Sequence, residues 1–157
     1  MAANPPLDDV DRRIVTLLQH DGRMSMNELA RRASIGRATA YSRVDSLVER
    51  GVITGFRAET DPASFGLGLA AYVFVDVDQQ HWQRARASLE KLPGLVHLSL
   101  TSGAHDAVLL VRCEDLETLR DVVLVKLHQI REVRSAQTLF VLDEYRPPPL
   151  PPAAARD

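Results

Sequence analysis

The sequence SMNELARRASIGRATAYSRVDSLVERGVITG, residues 25–55, decides the fold of the N-terminal part of this chain. It predicts two short helices joined by a tight turn. The first helix begins at Ser25, since Ser25 and Glu28 have the S-x-x-E spacing of a capping box. The second helix covers about residues 37–50, and its predicted inward residues are Ala40, Val44, Leu47 and Val48. Such a pair predicts a helix-turn-helix, whose second helix enters the major groove of DNA.

The residues on either side complete a small helical domain. A further helix is expected to begin at Leu7-Asp8-Asp9, with an aspartate as its N-cap, and to end near Gly22, with Val10, Ile14, Leu17 and Leu18 on one apolar face. Within the turn at residues 34–36, Ile35 is the predicted apolar plug between the two helices. Residues 52–58, after a helix-capping Gly51, predict a short strand or wing.

The second half alternates strand and helix patterns. Strands are predicted at residues 69–77, 96–101, 106–112 and 133–142, and helices at 81–92 and 115–130. The inward residues of the last helix are predicted to be Leu116, Leu119, Val122, Val123 and Leu127. The order β-α-β-β-α-β is that of a ferredoxin-like domain, a four-stranded antiparallel sheet with both helices on one face. We expect the other face to meet a second copy of the chain.

The predicted fold class is therefore α+β, a winged helix-turn-helix followed by a ferredoxin-like βαββαβ regulatory domain. Asp61-Pro62 and Gly66 are breaks between the two patterns. We place the DNA-binding domain at residues 1–58, a linker at 59–66 and the effector-sensing and dimerisation domain at 67–146. The Pro-rich tail at 147–157 is predicted to be disordered.

Charge is distributed unevenly along the 157 residues. Residues 23–57 hold seven arginines and three acidic residues, a net charge of +4, whereas the chain from residue 58 onward has a net charge of −4. This asymmetry favours a DNA-binding module joined to an assembly module. A single cysteine, Cys113, excludes an internal disulfide and is expected to be a small buried or half-buried residue. No secretory signal or membrane-spanning pattern is found, so we expect a cytoplasmic protein with no membrane partner.

Several of these segments resemble one known family. They are L-D-x-x-D-R-R-I at residues 7–14, D-G-R at 21–23, E-L-A-R-R-A at 28–33, R-V-x-x-L-x-x-x-G-V-I-x-G at 43–55 and S-G-x-x-D at 102–106. Together they closely resemble the Lrp/AsnC (leucine-responsive, feast/famine) transcription regulators. The resemblance implies a DNA-binding protein that senses an amino acid or a related metabolite. It also implies a homodimer formed through the C-terminal sheets, or a tetramer or octamer built from such dimers.

The candidate DNA contacts lie mainly on the second helix of the motif. An arginine there can bridge guanine O6 and N7, and Thr39 can contact a thymine methyl group. Arg31, Arg32 and Arg57 are better placed for phosphates. The full predicted set is Ser25, Arg31, Arg32, Arg37, Ala38, Thr39, Tyr41, Ser42, Arg43 and Arg57.

The sequence departs from the family pattern in two places. Gly36 stands where relatives usually have a serine N-cap, a change that costs only a few tenths of a kcal/mol. Asp45 and Ser46 replace residues that are often basic in relatives. Because each side chain that neutralises a phosphate adds affinity, we expect weak binding by a single domain and reliance on multivalent assembly.

The candidate effector site is the loop that joins the second and third predicted strands, at residues 101–106. Backbone amides near Gly103 can hold a carboxylate, and Asp106 can receive an ammonium group. The family resemblance implies that the pocket lies between subunits or dimers, with residues of the last strand nearby, and the full predicted set is Leu100, Thr101, Ser102, Gly103, Ala104, His105, Asp106 and Thr138. Relatives often have an acidic residue at position 104 and an aromatic residue at 105, so an amino acid and a different metabolite both stay open as effectors. The alternative is a plain hairpin that needs a glycine and an aspartate cap.

Two other functions compete with that of a transcription regulator. The two-domain plan also resembles that of the sirohaem decarboxylases, and His97, His105 and Arg112 would then act as acids or carboxylate clamps. An assembly protein that has lost DNA binding is the third hypothesis. The basic second helix of the motif favours the regulator. We therefore expect no enzyme activity, no cofactor and no metal, and we expect as partners double-stranded DNA, a second copy and a small-molecule effector.

Overall fold

The computed structural model describes residues 6–145, so the predicted tail at residues 147–157 lies outside the described residues. The chain divides into two compact units. One ends at Glu59 and the other spans Thr60–Glu144. No helix within the described residues is long and apolar enough to cross a membrane.

The N-terminal unit consists of three helices, α1 (Asp9–His20), α2 (Met26–Ala33) and α3 (Arg37–Glu49). Both predicted N-caps are confirmed. The Asp8 carboxylate accepts the Asp11 N–H at 2.7 Å, and the Ser25 hydroxyl accepts the Glu28 N–H at 3.2 Å. These bonds satisfy backbone donors that a helix terminus otherwise leaves unpaired, so each helix begins where a side-chain acceptor is available.

One apolar cluster joins the three helices, with Ile35 packed against it from the turn. Its buried members are Ile14, Leu18, Met24, Leu29, Ala33, Val44 and Leu47. The prediction that Val48 faces inward is wrong, since 47% of this residue is exposed. At about 100° per residue, Val48 lies roughly 80° around α3 from the buried Ala40, which places it outside the apolar stripe.

The chain around α3 departs from regular structure at two places. Ser34 has φ 59° and ψ 43°, a left-handed conformation, and Gly36 begins α3 without a side-chain cap. After α3, Gly51 has φ 69° and the Val52 and Ile53 amides both donate to the Leu47 carbonyl. Residues 52–58 form no strand, so the strand predicted here is wrong. An extended segment becomes a strand only against a partner, and no described segment pairs with this one.

The second unit has the predicted ferredoxin-like topology. Its strands are β1 (Leu69–Val77), β2 (Leu95–Leu100), β3 (Ala107–Cys113) and β4 (Val133–Phe140), and its helices are α4 (Trp82–Leu89) and α5 (Leu116–Arg120). The sheet order is β2-β3-β1-β4 with antiparallel pairing throughout. Within the predicted linker, residues 62–65 form a 3₁₀ turn whose N–H groups are capped by Asp61.

The helix after β3 changes type midway. α5 continues as a π-helix over Asp121–Leu127, and the buried residues are Leu119, Val122 and Leu127. The interval of five between the last two fits the i→i+5 repeat of a π-helix and not an α-helical face. Leu116, predicted to face inward, is 61% exposed, so that prediction is wrong.

The helices cover only one face of the sheet. The covered face buries alternate strand residues such as Val73 and Leu109, and Cys113 is buried there as predicted. The large apolar side chains that β1, β3 and β4 place on the uncovered face are Tyr72, Phe74, Val108, Leu110 and Leu139. Tyr72 and Leu139 are 42% and 50% exposed within one chain.

The left-handed turn generates a prediction about stability. Ser34→Gly is expected to raise the free energy of unfolding by about 1 kcal/mol, because a Cβ in this conformation meets the following carbonyl oxygen. Urea unfolding followed by far-UV circular dichroism measures the change. The matched control is Ser34→Ala, which keeps the Cβ and should give no such gain. Equal stability of the two variants would contradict the explanation.

Candidate DNA interface and effector loop

The structure brings five of the predicted DNA contacts together at the start of α3. Gly36 leaves the N-terminus of this helix open, and the exposed residues that follow are Arg37, Ala38, Thr39, Tyr41 and Ser42. A face with one guanidinium, one methyl-bearing hydroxyl and one phenol offers donors, acceptors and an apolar contact to base edges. The first two turns of α3 therefore form the candidate groove-contacting face.

Arg37 is oriented by its neighbour one turn later. Its guanidinium carbon lies 5.7 Å from the centre of the Tyr41 ring, a cation–π distance. Among the described residues no carboxylate pairs with Arg37. The guanidinium is thus held over an aromatic face while its N–H donors stay available for a base or a phosphate.

The predicted phosphate contacts lie outside α3. Ser25, Arg31 and Arg32 are exposed at the beginning and end of α2. Arg31 donates to Glu28 through Nε at 3.0 Å and Nη2 at 2.6 Å, so a phosphate has to compete with a surface carboxylate. Arg57 lines a groove of about 930 Å³ between the end of α1 and residues 52–59.

Arg43 does not join the exposed face. Its Nη1 lies 2.9 Å from Asp11 Oδ1 and also bonds to the Asp8 carboxylate. The hydrogen bond from Arg43 lowers the pKa of Asp8. The Arg43 side chain therefore lies against the start of α1. Its partner Asp8 is 35 residues away in the sequence.

Asp11 is the functional residue that the sequence analysis missed. It is 5% exposed, and its second oxygen lies 3.4 Å from Nη1 of Arg50. A signal was present in the sequence, because Asp11 precedes the apolar Ile14 and Leu18 by three and seven residues and so shares their face. A carboxylate on an apolar face predicts a buried basic partner, since an isolated buried charge is too costly.

The predicted effector loop is a tight connection from β2 to β3. The Thr101 N–H donates to the Asp106 carbonyl at 3.0 Å, and the Thr101 hydroxyl donates to the His105 carbonyl at 2.5 Å. Between these anchors, Ser102, Gly103 and Ala104 are exposed. The loop thus has a fixed base and an open tip.

Asp106 and His105 fasten the base of this loop to β1. Asp106 accepts the Val77 N–H at 2.9 Å and the Gln79 side-chain amide at 2.8 Å. These bonds, led by that from Val77, lower the pKa of Asp106. His105 Nδ1 lies 3.0 Å from Asp76 Oδ1, and its ring centre is 5.4 Å from that of Phe74. Because Val77 bonds to one carboxylate oxygen of Asp106 and Gln79 to the other, both oxygens are already engaged within the chain.

The two remaining predicted effector residues lie apart from each other. Leu100 ends β2 opposite Ala107 and is 48% exposed beside the loop. Thr138 lies on β4, the opposite edge strand, and pairs there with Val73 of β1. Because it pairs with the buried Val73, Thr138 faces the helix-covered side of the sheet, whereas the His105–Asp76 contact of the loop lies on the uncovered side.

The residues of the enzyme hypothesis each have a separate partner. His97 Nε2 lies 2.7 Å from the Ser99 hydroxyl, His105 bonds to Asp76, and the buried Arg112 pairs with Glu144. No group of three metal-ligating side chains occurs within residues 6–145. Each of the three side chains is therefore paired with a different neighbour, and none of these contacts joins two of the three.

Comparison with known proteins gives matches over both units. A family model described as winged helix-turn-helix DNA-binding matches residues 7–54, and one described as the Lrp/AsnC ligand binding domain matches residues 70–151. The chain is 36% identical over 132 residues to an uncharacterized HTH-type transcriptional regulator of Pyrococcus abyssi (strain GE5 / Orsay), with 84% of each chain covered.

Two proteins of Mycobacterium tuberculosis are also similar. The HTH-type transcriptional regulator AldR is 34% identical over 143 residues, which cover 89% of this chain and 80% of AldR. The solved structure of a feast or famine regulatory protein complexed with L-methionine has a TM-score of 0.86 and 32% identity, and the match covers 94% of this chain and 100% of that one. These similar proteins are named as regulators, not as enzymes.

The buried carboxylate of α1 generates a prediction. Asp11→Asn is expected to lower the free energy of unfolding by about 3 kcal/mol, near the low end for a broken buried ion pair, because Arg43 can still reach solvent. Far-UV circular dichroism during urea unfolding of the full chain measures the loss. Asp9→Asn is the control, an exposed acid in the same first turn that should cost less than about 1 kcal/mol. Equal losses would show that Asp11 acts only through the helix dipole.

Proposed function

Because the chain belongs to the Lrp/AsnC family of transcription regulators, we propose that it binds double-stranded DNA through the exposed start of α3 under the control of a small-molecule effector. The observation that carries the DNA part is the Arg37–Tyr41 pair, a guanidinium without a described carboxylate partner on an exposed helix face. In this proposal Arg37 donates to a guanine, Thr39 contacts a thymine methyl group and Ser42 binds a phosphate or base edge.

The remaining contacts position the protein on the duplex. Arg32 and Arg57 are exposed and neutralise phosphates, while Arg31 does so after exchanging Glu28 for a phosphate. Ser25 already accepts a helix N–H and has its own hydroxyl proton to donate. Ala38 lies among these residues and supplies a small apolar surface next to the bases.

The effector proposal rests on the loop and on the similar structures. One such structure is a complex with L-methionine. The exposed amides of residues 102–104 suit a carboxylate, whereas Asp106 has both oxygens engaged, so an ammonium group has to share it. Leu100, Thr101 and His105 flank the loop tip. Thr138 takes part only if a second copy contributes it.

We also propose that the uncovered sheet face mediates homodimer formation. Tyr72 and Leu139 leave apolar surface exposed in a single chain, and burial against a second sheet would remove it from water. A dimer places two α3 helices on one molecule, so the operator should contain paired half-sites. Tetramers or octamers of such dimers would extend the same multivalent binding.

The DNA proposal predicts a specific loss on substitution. Against a duplex selected by the unmodified chain from a random-sequence library, Arg37→Ala should weaken binding by about 1–3 kcal/mol, because one bidentate base contact is removed. Titration by fluorescence anisotropy measures the change. Arg84→Ala removes the same charge from an exposed position on α4 and should leave affinity unchanged. Equal effects of both variants would reduce the role of Arg37 to general charge.

The effector proposal predicts stabilisation by ligand. L-methionine at a hundred times its dissociation constant should stabilise the folded chain by about 2.7 kcal/mol, since it binds the native state selectively. Thermal unfolding measures the shift, and the corresponding 2-oxo acid tests whether the ammonium group matters. Gly103→Val is the control for the site, because nothing lies within 4 Å of a Cβ added at Gly103 in one chain. Full stabilisation of this variant would place the ligand elsewhere.

A further inference from the structure

We propose that Arg43 is a positioning residue for DNA recognition, which holds α3 on α1 through Asp8 and Asp11 and does not neutralise a DNA phosphate. The inference rests on the proposed function, since it assigns a role within the same interface. It also replaces the sequence-based expectation that every arginine of α3 contacts DNA. Three observations carry it.

The first observation is the geometry of the contact. Nη1 of Arg43 lies between two carboxylates of α1, at 2.9 Å from Asp11 Oδ1 and in contact with Asp8 Oδ2. Hydrogen bonds to Asp8 and then Asp11 raise the pKa of Arg43. Two acidic partners on the neighbouring helix thus hold one guanidinium, as expected for a clamp between helices.

The second observation is the burial of one partner. The Asp11 side chain is 7% exposed, whereas the Arg43 side chain is 36% exposed. If Arg43 turned away to reach a phosphate, the buried carboxylate would keep only its longer contact with Arg50 at 3.4 Å. Because an under-compensated buried charge is costly, the internal pair competes strongly with a solvent-exposed phosphate.

The third observation is the direction in which Arg43 projects. At about 100° per residue, Arg43 lies roughly 120° around α3 from Arg37, and Tyr41 lies roughly 40° from Arg37 in the opposite direction. Arg43 therefore projects from a different side of α3 than Arg37 and Tyr41, while Thr39, one turn before Arg43, lies about 40° from it. The face that carries Arg43 packs towards α1, where it fixes the rotation of α3 about its axis.

In this role the Asp8–Asp11–Arg43 contact affects discrimination between DNA sequences and not the general affinity for DNA. If α3 rotates, Arg37 and Thr39 lose their alignment with base edges, while the number of phosphate contacts stays the same. Discrimination between DNA sequences should then fall without a change in the number of counterions released.

The experiment is a double-mutant cycle on the full chain. Asp8→Asn removes one carboxylate but keeps a good N-cap residue, and Arg43→Met removes the guanidinium while keeping an unbranched stem. Each variant and the double variant are titrated with the selected duplex and with an unrelated duplex of equal length, over a series of salt concentrations. Thermal unfolding checks that each variant is folded.

We expect Arg43→Met to reduce the preference for the selected duplex about tenfold while the slope of log K against log salt stays unchanged. The effect of Arg43→Met should shrink in the Asp8→Asn background, because the two residues act through one contact. Arg32→Ala, in contrast, should lower the slope by about one, because Arg32 is exposed and is assigned to a phosphate.

The opposite results would overturn the proposal. A phosphate contact predicts that Arg43→Met lowers the slope by about one and that its effect persists in the Asp8→Asn background. If Arg43→Met does not fold, the Asp8→Asn variant tests the proposal by itself. Should Arg43 bind a phosphate, loss of the Asp8 carboxylate would free it, and Asp8→Asn would bind DNA more tightly with a steeper slope of log K against log salt. Failure of the proposed function is distinct, because the unmodified chain would then enrich no sequence from the library.

Discussion

The N-terminal unit depends on one buried carboxylate. Asp11 lies on the apolar side of α1, where it receives guanidinium groups from Arg43 and Arg50 of the α3 region. Apolar contacts such as those of Ile14 and Leu47 hold the helices together, but they tolerate small rotations. An ion pair at the edge of such a core permits far fewer arrangements, because any displacement leaves a buried charge without its partner. The orientation of α3 is thereby set by charge as well as by packing.

This constraint divides the arginines of the unit by role. Arg37 is held over Tyr41, and Arg31 is paired with Glu28 at the surface. Arg43 is paired with Asp8 and Asp11 at the start of α1. The same side-chain type therefore serves base contact, surface charge and internal positioning. The net charge of +4 over residues 23–57 overstates the positive charge available to DNA. Arg43 contributes to this sum but is paired with Asp8 and Asp11, which lie outside the segment. This is a physical reason to expect reliance on paired domains for affinity.

Local signals in the sequence predicted most of the fold. The caps at Asp8 and Ser25, the strand at residues 69–77 and the order of elements all follow from side chains close in the chain. Errors arose where distant partners or unusual geometry decide. Asp11 meets an arginine 32 residues away, the interval from Val122 to Leu127 requires a π-helix, and residues 52–58 have no described partner strand. The exposed start of α3 was predictable for the same reason as the caps, whereas the clamp of Arg43 was not.

The effector loop connects by hydrogen bonds to the face expected to meet a second copy. His105 at its base contacts Asp76 and the ring of Phe74, and Asp76 in turn accepts the Ser135 hydroxyl from β4. These side chains lie on the sheet face that the helices leave uncovered. The base of the loop is fixed by hydrogen bonds of Thr101 and His105. A ligand that displaces the loop tip would therefore move His105 or lengthen its hydrogen bond to Asp76. Ligand binding and assembly would then act on the same side chains, so a ligand with different affinities for two arrangements of the proposed dimer would shift the balance between them.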